Sequence, residues 1–359
     1  MLRERGLPRP GCRRVGLGRA AAVANLAVAI LAVALLAGCA TAGGSFRSYD
    51  PLQHGTAREE WSPHRGVVEW WYLTAVLEAQ GGGPYLVQFT IFHIGTGVPP
   101  VSMLHLACTD YATGRHLFEQ YFCFTSTVSP APGDRIPYGR SSIELLPDAL
   151  AVRGAGRRLS FDLRLAISAS PLWHGRDGTI SMGHPEDPRQ NSFYYSLVRL
   201  QTEGTLTCQE EGGGTITRPV IGTSWFDRQW GTFTERGWDW FSLRFFDGDR
   251  IMLFCFPRTG HQEATYLPRG DSPVIFSDFR YTIQGWASRD GRRYGLGWEL
   301  ELPVKDGRYR VEPLSEGDFN PNPANDYWEG LCRLLDETGS LVGYCVAETT
   351  WAAHTPGAP

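Results

Sequence analysis

Lysine is almost missing from this chain. Lys305 is the single example, and arginine supplies the other permanently cationic side chains. Past the first twenty residues those arginines gather into no basic patch, so nucleic acid is not expected as a partner. No C-x-x-C occurs, which leaves a zinc ribbon or thioredoxin-type motif unsupported. The nine histidines show no H-x-x-x-H spacing. Gly222-Thr223-Ser224-Trp225-Phe226 lacks the second glycine of a nucleophile elbow, and there is neither a P-loop nor a dinucleotide fingerprint. A serine hydrolase, a nucleotide enzyme and a metalloenzyme are therefore disfavoured, and no cofactor and no metal is expected. Helical periodicity is nearly absent after residue 45, which excludes an α or α/β fold.

The N-terminus reads as a targeting segment. Six arginines between Arg3 and Arg19 precede an apolar run, Ala20 to Ala37, that ends in Leu36-Ala37-Gly38-Cys39. Small residues before a cysteine at the end of such a run resemble a bacterial lipobox, with residues 1–38 as a lipoprotein-type signal peptide and Cys39 as the acylated residue. The expected location is the bacterial cell envelope, lipid-anchored on the periplasmic face, at the outer membrane rather than the inner. Removing the leader takes the formal charge from −4 to −9. Residues 39–62 read as a tether.

With 359 residues, two domains are expected. Short runs rich in Val, Ile, Leu, Phe, Tyr and Trp recur every 10–14 residues between Gly, Pro, Asp and Asn. About fifteen strands are predicted, including 67–77, 121–127, 194–201, 204–208, 238–246, 327–335 and 341–349. The fold class is all-β, in barrels or sandwiches. Phe246-Asp247-Gly248-Asp249 and Ser288-Arg289-Asp290-Gly291 read as hairpin turns. The glycine-rich 209–220 stretch marks the expected break, giving domains 63–215 and 216–353. Residues 168–192 read as a long surface loop over a barrel end. Cys332 and Cys345 flank a turn as cross-strand neighbours would, and a disulfide between them is expected.

The twelve tryptophans are clustered, and each needs burial for its ring and an acceptor for its indole N–H. Strand alternation sorts the clusters. Asp239 shares a face with Phe241, Leu243 and Phe245, opposite Trp238 and Trp240. On that apolar face its carboxyl would titrate high, as a general acid requires, although a structural aspartate is the blander reading. Asp227 and Arg228 point to opposite faces: Asp227 as a polar group at a pocket mouth or a turn cap, Arg228 stacked on a tryptophan and plugging a barrel end. Glu69 shares a face with Trp71, Leu73, Ala75 and Leu77, opposite Trp70 and Tyr72. It must be paired, with an arginine such as Arg228, or act as acid or base. His93 lies on the Phe89/Ile91 face.

Glu69-Trp70-Trp71-Tyr72-Leu73-Thr74 resembles the first-strand motif of the carotenoid 1,2-hydratase and AttH-like lipocalin family. Trp225-Phe226-Asp227-Arg228-Gln229-Trp230-Gly231 with Gly237-Trp238-Asp239-Trp240-Phe241 is similar to its central signature. Tyr194-Tyr195-Ser196 and Tyr327-Trp328-Glu329-Gly330 fit the family order, so the resemblance covers roughly residues 60–350. It implies two tandem lipocalin-like antiparallel β-barrels in a family of carotenoid hydratases, fungal hydratases, pericyclase-type enzymes and exported bacterial proteins. The chain departs from the pattern at Cys345-Val346-Ala347-Glu348-Thr349 and at His93, where arginine is common.

Two functions follow. In the first, a terpenoid or other unsaturated apolar substrate is protonated at C=C by a buried carboxylic acid, Asp239 first, Asp227 second, with Glu69 the third candidate. In the second, the chain is a non-catalytic lipocalin that carries a terpenoid or lipid, with a partner in an envelope transport system. In either, Trp70, Trp71, Tyr72, His93, Tyr194, Tyr195, Trp225, Arg228, Trp238, Trp240 and Trp328 are the expected ligand-binding set.

Overall fold

In a computed structural model, residues 46–80, 82–96, 100–123, 134–270, 272–322 and 326–355 are described. Residues 1–38, expected to form a leader, and Cys39, expected to be acylated, lie outside them. The first sheet contains β1 (Val68–Ala79), β2 (Gly82–Ile94), β3 (Val101–Asp110), β4 (Arg115–Cys123), β5 (Arg135–Tyr138), β6 (Ser141–Leu145), β7 (Ala149–Ala155), β8 (Leu159–Ile167), β9 (Leu172–Trp173), β10 (Thr179–Ser181), β11 (Asn191–Gln209) and β12 (Thr215–Thr232). The second contains β13 (Asp239–Phe245), β14 (Arg250–Phe256), β15 (His261–Leu267), β16 (Val274–Phe276), β17 (Arg280–Arg289), β18 (Arg292–Leu302), β19 (Gly307–Pro313), β20 (Phe319–Asn320), β21 (Tyr327–Asp336) and β22 (Leu341–Thr350). All ladders between them are antiparallel, so the protein is all-β, as expected.

The first sheet runs β4-β3-β2-β1-β12-β11-β8-β7-β6-β5, with β9 and β10 added on β11. The second runs β16-β15-β14-β13-β22-β21-β19-β18-β17, with β20 on β21. Both sheets curl. Cys108 on β3 and Cys208 on β11 are four strand positions apart, roughly 19 Å in a flat sheet at about 4.8 Å per strand, yet their Sγ atoms lie 3.9 Å apart.

Three apolar clusters follow from strand alternation. Trp71, Leu73, Phe89, Leu106 and Phe226 fill the interior of the first sheet. Phe241, Leu243, Trp298 and Trp328 fill that of the second. Tyr72, Tyr194, Trp225, Trp240, Met252, Phe254 and Val346 pack in the seam where the sheets meet back to back. Central strands thus bury both faces: β13 is buried throughout and β14 at all but its first residue. The peripheral β17 alternates with solvent instead.

Five expectations are corrected. The 209–220 stretch is the tip of the β11–β12 hairpin, and β12 completes the first sheet; the chain changes sheets after Thr232. Glycine-rich composition marks a turn equally well inside a domain and between domains. The expected strands 194–201 and 204–208 are one strand, β11. The strand expected over 121–127 begins at Arg115, directly after the Gly114 turn, and pairs with β3. Residues 46–62 are no free tether: Trp61 and Glu60 are buried on the first sheet. Both expected hairpin turns form, with Gly248 and Gly291 in the left-handed region. Cys332 and Cys345 do face each other across β21 and β22, but both are free thiols, so the expected disulfide is absent.

Candidate active site between the sheets

A cleft of about 340 Å³ opens into the seam, within the size range of small-molecule sites. Trp70 and Tyr72 from β1, Phe92 from β2, Trp238 from the crossover and Trp240 from β13 form its aromatic walls. Three carboxyl groups line it: Asp227 from the first sheet, Glu348 from the second, and Glu235 from the crossover, which pairs with His184 and Arg258.

Asp227 sits on β12 between Tyr72 of β1 and Ser196 of β11. The Trp225 indole N–H donates to its Oδ1 over 2.7 Å, and the Ser196 hydroxyl donates to the same oxygen. The Tyr194 hydroxyl donates to Oδ2 over 2.8 Å and accepts from the Trp240 indole at 3.1 Å. Behind Ser196, His174 Nε2 lies 2.6 Å from the serine oxygen, and burial pushes that imidazole down to about 3. His174 is therefore neutral, and its Nε2–H donates to Ser196. Burial pushes Asp227 up to about 7, against the three hydrogen bonds that favour its charged form.

Glu348 is the register partner of Trp240 on β13 and of Glu329 on β21. The Trp238 indole donates to its Oε1 over 2.6 Å. Burial pushes Glu348 up to about 7, the Trp238 bond opposes this, and the charges of Asp227 and Asp239 add to the rise. Glu329 accepts from the Tyr72 hydroxyl, and burial together with Glu348 raises it well above the usual carboxylate range.

Tyr327 is a further polar group on the wall. Gln120 Nε2 lies 2.9 Å from His105 Nε2, and His105 Nδ1 lies 2.8 Å from the Tyr327 hydroxyl. Burial pushes His105 down to about 3, so its single proton is on Nδ1 and is donated to Tyr327. The tyrosine keeps its own proton for a group in the cleft.

The site residues expected from sequence divide by strand face. Trp70, Tyr72, Tyr194, Asp227, Trp238 and Trp240 line the cleft, with Trp225 behind Asp227. Trp71 and Tyr195 lie in the interior of the first sheet, and Trp328 in that of the second. Asp239 also turns away from the cleft, into the interior of the second sheet, where His354 Nε2 lies 2.9 Å from its Oδ1. It shares that face with Phe241 as alternation requires, but this face is not the one that meets the ligand space.

Glu69, His93 and Arg228 form a plug at the end of the first sheet's interior. Arg228 lies 4.0 Å over the Trp71 ring and pairs with Glu69, donating also to the Glu60 and Ser62 carbonyls. His64 and His93 bond the same carboxylate at 3.1 and 2.8 Å. Burial would raise Glu69, but Arg228 and the two histidines hold it well below the usual carboxylate range. It is thus a permanent anion and unsuited to donating a proton.

Sequence reasoning passed over Glu348 and Tyr327 as cleft groups, and Glu329 behind Tyr72. The available signal was Glu348 itself, a carboxylate one residue from Ala347 in a strand apolar on both faces. Among the described residues no group of three or more His, Cys, Asp and Glu is arranged to hold a metal ion.

The model of the AttH-like family matches residues 55–348. The chain is 25% identical over 217 residues to dehydratase asqC of Emericella nidulans, covering 54% of this chain and 57% of that protein. It is 22% identical over 261 residues to kievitone hydratase of Fusarium solani subsp. phaseoli, covering 65% of this chain and 67% of that one. The chain thus spans little more than half the length of the dehydratase. Among solved structures, AttH of Nitrosomonas europaea superposes with a TM-score of 0.74 at 21% identity, over 86% of this chain and all of that one. Kievitone hydratase of Nectria haematococca gives 0.66 at 17% identity, over 85% and 95%. Both show the same fold. With the match spanning most of its length and both sheets, this chain belongs to the AttH-like family.

Proposed function

We propose that the seam cleft is the active site of a cofactor-independent hydro-lyase that adds water to, or removes it from, an unsaturated apolar substrate of terpenoid type. The observation that carries this is the approach of two carboxyl groups, one from each sheet, to a single aromatic cleft. Both titrate near 7, and the charge of Asp227 acts on Glu348. Near neutral pH one can hold a proton while the other is ionised, as acid–base chemistry on one substrate requires. That the curated relatives are a dehydratase and a hydratase supports the reading.

In the hydration direction, the Asp227 carboxylic acid gives its proton to one alkene carbon. The π electrons form the new C–H bond and leave a cation on the neighbouring carbon. The faces of Trp70, Trp238 and Trp240 stabilise that cation. Water adds through oxygen, and its excess proton passes to ionised Glu348. Tyr327 orients the water or the substrate oxygen through its free hydroxyl proton. Dehydration is the reverse, with Glu348 as acid and Asp227 as base. The test is incubation with a panel of terpenoid alkenes and alcohols in isotope-labelled water. Label should enter the product with the native chain and not with Asp227→Asn; no incorporation from any member by the native chain would favour a passive carrier of the same ligands.

Envelope placement through an acylated Cys39 is part of this proposal, supported by the apolar run and Leu36-Ala37-Gly38-Cys39. Metabolic fatty-acid labelling lost in Cys39→Ala checks it.

A further inference from the structure

The open end of the first sheet, opposite the Glu69–Arg228 plug, holds a second cavity of about 420 Å³. Tyr85, Leu117, Leu206 and Ile216 give it apolar walls, and Arg115, Arg218, Asp110, Glu210 and Glu211 give it charges of both signs. Cys108 and Cys208 both line it, with their Sγ atoms 3.9 Å apart. They come from strands separated in the sheet by β2, β1 and β12, so the curl of the sheet, not neighbouring strand register, brings them together. Cys108 is buried and Cys208 is partly exposed to the cavity. This asymmetry matches an attacking thiol in front of a resolving one. A bond to the Cys108 thiol and the nearby Arg115 and Arg218 favour the Cys208 thiolate, while burial and the Asp110 charge oppose it; Cys108 is held in its thiol form by its bond to Cys208 and by burial.

We propose that Cys108 and Cys208 form a thiol–disulfide exchange site that reacts with small-molecule disulfides admitted by this cavity. The Cys208 thiolate attacks one sulfur of the disulfide and expels the other as a thiolate, which leaves a mixed disulfide on Cys208. Cys108 then loses its proton and attacks the Cys208 sulfur, expelling the second thiolate. The protein dithiol is oxidised by two electrons and the small disulfide is reduced to two thiols. The product bond ties β3 to β11 across the first sheet's interior. This site is separate from the seam cleft and uses none of its carboxyl groups.

The test uses the full chain, purified reduced and exposed to oxidised glutathione, with peptide mapping of alkylated and bridged cysteines. A Cys108–Cys208 bridged peptide is expected, with a mass loss of two hydrogen atoms. Cys108→Ser should stop at one glutathione on Cys208. Cys208→Ser should slow reaction of the remaining Cys108 at least tenfold. If the native chain keeps both thiols alkylatable, or if oxidation bridges Cys332 to Cys345 and leaves this pair reduced, the proposal is overturned. Because the first reading is on the native chain, it does not depend on how a variant folds.

Discussion

Replacing Asp227 by asparagine separates a reacting carboxyl from a structural one. The change is isosteric, and the amide oxygen can still accept from Trp225 and Ser196. In the native chain Asp227 titrates near 7, against 3.8 for a free side chain. The folded state therefore holds its proton where the unfolded state has lost it, and stability falls as pH rises from about 4 to 7. At about 1.4 kcal/mol per unit, that interval amounts to about 4 kcal/mol for this group, which is 3% exposed. Asparagine does not titrate, so the variant should lose this part of the slope. Urea unfolding of both proteins at pH 4 to 8 measures it, together with the downward shift of Glu348 once the Asp227 charge is gone. Turnover should fall by about 10²–10⁴ with ligand binding retained. Identical pH slopes would refute the burial argument; unchanged turnover would falsify the assignment of Asp227 as the proton donor.

Three further outcomes are expected. Glu348→Gln should lower turnover by a comparable factor and flatten one limb of the pH profile of kcat/KM, read by steady-state assays across pH 5 to 9. Trp238→Phe removes the 2.6 Å bond that lowers Glu348, so the pH limb belonging to Glu348 should move upward, not downward, in the same profile. Arg228→Met leaves Glu69 buried without its cation, at a cost of about 3–5 kcal/mol by denaturant titration at neutral pH. That loss should shrink below about pH 4.5, where Glu69 no longer carries charge in the unfolded chain, and cleft binding measured by tryptophan quenching should persist.

How far the site could be read from sequence depended on strand face. Alternation alone separated Trp70 and Tyr72 from Trp71, and Asp227 from Arg228, because a strand sends neighbours to opposite sides wherever it lies. It also placed Asp239 correctly beside Phe241. What alternation does not say is which face of a strand buried on both sides meets a ligand. Both faces of β13 are dry, one against its own sheet and one against the other sheet, so Asp239 and Trp240 look alike until the sheets are docked.

The sequence by itself determined the all-β class, the sorting of side chains to strand faces, the hairpin turns and the need of buried Glu69 for a partner or a proton. Each of these is a local consequence of period-two geometry, of turn chemistry or of the cost of burying a charge. Only the tertiary structure decided the site. Asp227 and Glu348 are 121 positions apart and belong to different sheets, and they share a cleft because the two sheets pack back to back. The raised titration of both, the neutral histidines behind Ser196 and Tyr327, and the meeting of Cys108 with Cys208 all arise from burial and curvature. Those are properties of the packed chain, and strand patterns do not encode them.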